Sequence, residues 1–235
     1  MPPTGAETKV QDPEYKNWLR VGLALYCLEV GLHTFIQEEV NTMHQSLKQK
    51  LYGSSDVPSL RCSSCKSTDV IYNRHSYTWK FRSPCPTSLC DAWLKELLDL
   101  HSSPKSNKIN WENCDVTAWP FVPWECAKVY MPRGQPHTNT SPAQSDSQAL
   151  LTLMTSCKYF HKKLSQRGPD LIHMVSNIRN TVMHSGGMRL SDTDRKSFIQ
   201  KIILLLEDPV YLASLQEFQL AAAELNKISA SSKRS

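Results

Sequence analysis

Two groups of residues have the types and spacing to do chemistry: Arg179-Asn180-x3-His184, and the cysteine pairs Cys62-x2-Cys65 and Cys85-x4-Cys90. On a helix that turns about 100° per residue, Asn180 and His184 share one face a turn apart, and Arg179 projects to the side. Their heads can converge beyond the helix end, where Ser185-Gly186-Gly187 would let a ligand's backbone come close. The chemistry this suits is scission of RNA through its own 2′-hydroxyl. A neutral imidazole takes the hydroxyl proton, a guanidinium holds the phosphate, and the amide orients either group. No metal is needed. Arg179, Asn180 and His184 are therefore the candidate catalytic residues, and Arg179, Lys162, Lys163 and Arg189 the candidate RNA contacts. One copy supplies one base and one cation, so a homodimer would complete the cleft. A histidine at a helix C-terminus is also stabilised by the macrodipole alone, with no further role.

The cysteines suit a structural metal. A Cys-x-x-Cys turn aims two thiolates at one tetrahedral ion, and a second pair completes the set. Zinc held by Cys62, Cys65, Cys85 and Cys90 is expected, pinning a loop-rich insertion to the helix that follows. The four-residue gap between Cys85 and Cys90 is wider than the usual two, which leaves His75 as an alternative ligand. A redox role needs a strand-to-helix junction in a βαβ unit, and no such pattern surrounds the motif. Cys27 and Cys157 lie on apolar helical faces, and Cys114 and Cys126 lack zinc spacing, so these four read as core.

The elements that must position these residues are mainly helical. Asp12-Pro13-Glu14 has the composition of a helix start. Apolar residues then recur in steps of three to five from Trp18 to Leu51, predicting a long helix over 12–52, with a break near Gly31 as the alternative. A loop follows over Gly53–Ser59. The cysteine- and tryptophan-rich segment 53–134 carries strand-like stretches at Val70-Ile71-Tyr72 and Tyr77-Thr78-Trp79, and helical spacing from Asp91 to His101. Trp111, Trp119, Phe121 and Trp124 could stack bases, but tryptophans among prolines more often close a core. Gln135–Ser147 reads as a linker. A four-helix bundle is expected over 146–228, with helices over Gln148–Ser165, from Gly168-Pro169-Asp170 to Gly186, from Ser191-x-x-Asp194 to Leu206, and from Asp208-Pro209 to Leu225. Residues 229–235 read as a disordered tail.

Composition narrows the class. The 235 residues are 40% hydrophobic and 21% charged, which excludes wholesale disorder. The longest nearly apolar run, Val21–Leu32, contains Glu29 and is short for a bilayer, and MPPTGAETKV has no signal-like core. An intracellular protein without a membrane span is expected, its thiols reduced. No small-molecule substrate is evident. Net charge is +5, and Lys158–Lys201 holds nine basic residues against Asp170, Asp192 and Asp194. Such a field favours a polyanion, although a solvated helical surface has the same composition.

An Arg-Asn-x3-His closing one bundle helix, followed by Ser-Gly and a further helix, resembles the HEPN superfamily. That resemblance implies a metal-independent endoribonuclease acting as a dimer, or a non-catalytic RNA-binding or assembly domain. A wider resemblance is carried by Glu14-Tyr15-Lys16-Asn17-Trp18, Trp111-x-Asn113-Cys114, Trp119-Pro120, Trp124-Glu125-x-Ala127-Lys128 and Met131-Pro132-Arg133-Gly134. Leu150-Leu151-x-Leu153-Met154-x-Ser156-Cys157 and Arg179-Asn180-x2-Met183-His184-Ser185 continue it. Together they are similar to a vertebrate family named after X-chromosome open reading frame thirty-eight, which brings no assigned activity. The expectation is an RNA-directed protein, with a non-catalytic helical adaptor as the alternative.

Overall fold

The computed structural model describes residues 9–53, 61–134 and 138–230. Most of the loop expected over Gly53–Ser59, the start of the linker at 135–137, most of the expected tail and the first eight positions lie outside the described residues. The described chain is mainly helical, with one two-stranded sheet. It divides into two compact units, one of residues up to 34 with those from 163 onward, the other of residues 35–162.

Helix α1, Pro13–Tyr52, runs through both stretches of sequence without a break at Gly31. Asp12 starts it as predicted, its carboxylate accepting the Glu14 N–H at 2.9 Å. Gly53, at φ +63°, closes it by donating to the Gln49 carbonyl at 2.9 Å. Left-handed backbone of this kind is open to glycine and costly for other residues. Val21, Leu25, Leu28 and Leu32 are buried at helical spacing, and Val40, Met43 and Leu47 continue the stripe. The apolar content is higher than the run Val21–Leu32 suggested. An 18-residue window reaches a mean hydropathy of 1.4, long and apolar enough to cross a membrane, and 44% of it is buried within the protein.

In the second unit, strands β1 (Val70–Asn73) and β2 (Thr78–Phe81) pair antiparallel, Val70 opposite Phe81 and Asn73 opposite Thr78. Helix α2 (Leu89–Leu100) buries Trp93, Leu94 and Leu97. The Trp/Pro block that follows is core. Trp111, Trp119 and Trp124 are buried, Trp111 meets Trp79 and Trp119 edge-on, and the His44 ring nitrogen Nε2 lies 2.8 Å from the Trp119 carbonyl. Short helix α3 (Pro123–Ala127) leads into Lys128, which is wholly buried and pairs with Glu125 at 2.5 Å. Asn113 ties the block together, its side-chain amide donating to the carbonyls of Lys128 and Pro132.

The helix expected over Gln148–Ser165 is broken. Helix α4 (Ser147–Ser156), capped by the Asp146 carboxylate on the Ala149 N–H, stops at Cys157. Cys157 is extended and forms an antiparallel bridge with His101, beside a Ser102 N–H to Ser156 carbonyl bond of 2.7 Å. A four-residue helix, α5 (Lys158–His161), follows.

The first unit places residues 13–34 of α1 with α6 (Gly168–Met183), α7 (Asp192–Leu206) and α8 (Gln216–Ala230). The expected first helix of the bundle belongs to the other unit, and α1 stands in its stead. The indole of Trp18 donates to the Val182 carbonyl at 2.8 Å, and buried Asn17 donates to the Leu190 carbonyl at 3.2 Å. Ser191 caps α7 as expected, accepting the Asp194 N–H, while its own hydroxyl donates to Asp194 Oδ2. Asp208-Pro209 does not start the last helix. Asp208 is buried, its carboxylate accepts from Ser165, and α8 begins only at Gln216.

Candidate functional site

The Sγ atoms of Cys62, Cys65, Cys85 and Cys90 lie within 4.8 Å of one another. Sulfurs around a tetrahedral ion held at about 2.3 Å stand about 3.8 Å apart, so the arrangement fits a metal with small adjustment. Cys62 and Cys65 precede the 3₁₀ turn that leads into β1, Cys85 lies between β2 and α2, and Cys90 is in the first turn of α2. The hairpin is thus anchored at both ends. The Cys85 N–H donates to Asp91 Oδ2 at 2.7 Å, which holds the second pair against the helix. His75 is on the exposed hairpin turn, its backbone bonded to Asn73, and is not among the clustered groups. The cysteines form the set without it.

The protons of the four thiols are unevenly held. Burial raises the Cys62 thiol, but the N–H groups of Cys65 and Ser64 outweigh it and bring the pKa to about 6. Cys85 is likewise raised by burial yet lowered overall by the Thr87 hydroxyl and the Cys90 and Thr87 N–H groups. Burial and the bonds to Cys62 and Cys85 push Cys65 up to about 12, and burial with the neighbouring Cys85 and Cys65 sulfurs raises Cys90 further. A cation in the middle would stabilise all four as thiolates, since metal and protons compete for the same sulfurs. Four sulfur donors leave no open coordination position, so the site is suited to architecture.

Cys114, Cys126 and Cys157 are buried core residues, as expected, whereas Cys27, expected in the core too, is only half-buried. Burial pushes Cys114 and Cys157 up to about 12 and raises Cys126 well above the ordinary thiol value. Burial raises Cys27 too.

The Arg179-Asn180-x3-His184 element closes α6. His184 is exposed at the C-cap, and its N–H donates to the Asn180 carbonyl at 3.0 Å. Arg179 and Asn180 are half-buried, and Arg179 Nη1 donates to Asn180 Oδ1 at 3.4 Å. The amide therefore holds the guanidinium, while the imidazole stands in solvent beyond it.

The basic residues around it are less available than their number suggests. Arg189 is paired with Asp12 at 2.7 Å and Glu14 at 3.1 Å. Arg195 is buried against Asp192 at 3.0 Å, and Lys196 takes the other carboxylate oxygen of Asp192. Lys163 lies over the Tyr211 ring at 4.6 Å, while Lys162 is exposed. Sequence reasoning gave no weight to the hairpin's own charges, Arg74, Lys80 and Arg82, all exposed. Their alternation with Tyr72, Tyr77 and Trp79 was the available signal.

The chain belongs to the family described as a domain of unknown function (DUF4559), whose profile matches residues 9–233. It is similar to the mouse protein "Uncharacterized protein CXorf38 homolog", 33% identical over 192 residues, which is 80% of this chain and 54% of that one. The chain thus spans about half the length of the curated relative it matches. No solved structure matches it.

Proposed function

We propose that this protein is RNA-directed, binding RNA and cleaving it at the end of α6 without a metal, in a HEPN-like helical unit. The observation that carries the reading is the arrangement there: an exposed imidazole at the C-cap, one turn beyond an asparagine whose amide oxygen holds a guanidinium. His184 would take the proton of an RNA 2′-hydroxyl. The 2′-oxygen then attacks the adjacent phosphorus, and the bond to the 5′-oxygen breaks, giving a 2′,3′-cyclic phosphate and a 5′-hydroxyl. Arg179 would bind the phosphate and its developing charge, with Asn180 fixing its direction. The leaving oxygen needs a proton, and the imidazolium of a second copy, in a symmetric dimer, would supply it.

The test is incubation of end-labelled RNA in buffer free of divalent cations, with wild type, His184→Ala and Arg179→Ala. Removing a general base lowers the rate about 10²- to 10⁴-fold. Cleavage that continues unchanged in His184→Ala defeats the reading.

Zinc is the metal this reading gives to the cysteine cluster, because four thiolates and a closed tetrahedron suit it. Its part is architectural, and no step of cleavage passes through it.

A non-catalytic helical adaptor is the second reading, and α1 favours it. Leu19, Leu23, Tyr26 and Val30 are exposed in steps of four, three and four, the spacing with which helices pair. Under that reading Arg179 and Asn180 serve only the end of α6.

A further inference from the structure

The hairpin of the second unit has a face that neither the thiol cluster nor the core requires. From Arg61 to Arg82 five basic residues stand against one acid, Asp69. Arg74, Lys80 and Arg82 are exposed, and Tyr77, at φ +52° in the turn, is 61% exposed. Two aromatic side chains bring more charge to it. The Tyr72 hydroxyl donates to the Lys105 carbonyl at 2.6 Å, and the Trp79 indole donates to the Ser106 carbonyl at 2.8 Å. The loop that carries Lys105 is thereby fastened beside the strands. Tyr77, Trp79, Lys80, Lys95 and Lys105 line one shallow groove of about 370 Å³. Of its two acids, Asp91 already receives the Cys85 N–H, and Asp99 is exposed. Among the described residues, Arg74, Lys80, Arg82, Lys95 and Lys105 make no ion pair. That sets them apart from Arg189, Arg195 and Lys196, whose charges are matched within the fold.

We infer that this hairpin face binds single-stranded nucleic acid, with a base stacked on Tyr77 and the flanking phosphates on Arg74, Lys80 and Lys105. Unpaired cations beside an exposed ring are what a single strand needs, because its bases are free to stack and its phosphates release counterions. A metal at the thiol cluster would anchor the strands that display these groups. Arg179, Asn180 and His184 have no part in this surface, so it can hold whether or not the protein cleaves RNA.

The test is fluorescence anisotropy of labelled oligouridine and oligothymidine with the full chain. Binding is expected for both if base and phosphate suffice, and for oligouridine alone if the 2′-hydroxyl is also read; either result fits. Tyr77→Ala should weaken binding roughly 5- to 150-fold, the usual cost of losing one stacked base, and Tyr77→Phe should restore it. Lys80→Ala with Lys105→Ala should flatten the salt dependence, by about 0.7 in log–log slope for each phosphate no longer neutralised. Circular dichroism and metal content equal to wild type show that these variants keep the fold. In the double variant Arg179→Ala, His184→Ala, which removes whatever the end of α6 contributes, the remaining binding should still depend on Tyr77, Lys80 and Lys105. The inference is overturned if neither strand binds, if binding ignores Tyr77 and both lysines, or if polyglutamate competes as well as oligouridine. Loss confined to the Arg179/His184 variant would overturn it and favour the α6 site. Hairpin binding without cleavage would do the reverse.

Discussion

Asp208, 1% exposed, accepts both the backbone N–H and the hydroxyl of Ser165, at 2.9 and 2.6 Å. It also takes the Val210 N–H at 3.2 Å. One carboxylate thus fixes the approach to α6 and the turn after α7. Asp208→Ala leaves the half-buried Ser165 donors unpaired beside the space of the lost carboxylate and should destabilise the protein by about 3 kcal/mol, and Ser165→Ala by about 1 kcal/mol. Urea unfolding of both variants checks the order; equal small effects would refute it.

Gly168 should resist replacement despite standing at a helix start. A Cβ there would lie 2.4 Å from Leu164 Cβ. Alanine is ordinarily favoured over glycine in helices, yet the forced shift should make Gly168→Ala destabilising by about 1–3 kcal/mol. A raised melting temperature for this variant would contradict the packing described.

Acid should weaken the second unit through His101. Burial first, and then the charge of Lys158, bring its pKa down to about 4 from the ordinary 6.5. Between those values the unfolded chain binds the proton and the folded chain does not. Stability is therefore lost as pH falls from about 6.5 to about 4, by roughly 2 kcal/mol after allowing for solvent screening. Burial lowers His44 too, in the same direction. His101→Asn should lose less stability than wild type between pH 7 and pH 5 in denaturant titrations. Identical losses would remove His101 from the account.

Protein purified without chelator should carry one metal ion per chain at the thiol cluster. Cys90→Ser should lose it, and amide exchange across β1 and β2 should quicken. His75→Ala should keep its full content, because that ring lies outside the cluster. Elemental analysis decides both, and a metal-free His75→Ala would redraw the ligand set.

What could be read beforehand depended on how local its cause is. The start of α1 and the Ser191 cap follow from neighbours a few residues away, and each cysteine pair shows itself by its own short spacing, although the two pairs meet only in the fold. The break at Cys157 does not, because its partner is His101 in another part of the chain. Asp208-Pro209 imitates a helix start, but the carboxylate is claimed by Ser165 across 43 residues. Arg195 reads as part of a basic surface, yet helical phase turns it inward against Asp192. The division of the chain between two cores is set by which apolar faces meet, and hydrophobic spacing alone is silent on that. At the candidate site, spacing placed Asn180 and His184 one turn apart, whereas the pairing of Arg189 with Asp12 and Glu14 needed the fold.

Among the described residues, each unit stores one long cation out of reach of solvent, Lys128 at 0% exposure in one and Arg195 at 1% in the other. Trypsin cuts after such residues only when the surrounding backbone opens. Limited digestion thus has a marker built into each half of the chain, and whichever of these two bonds is severed first names the half that comes apart first.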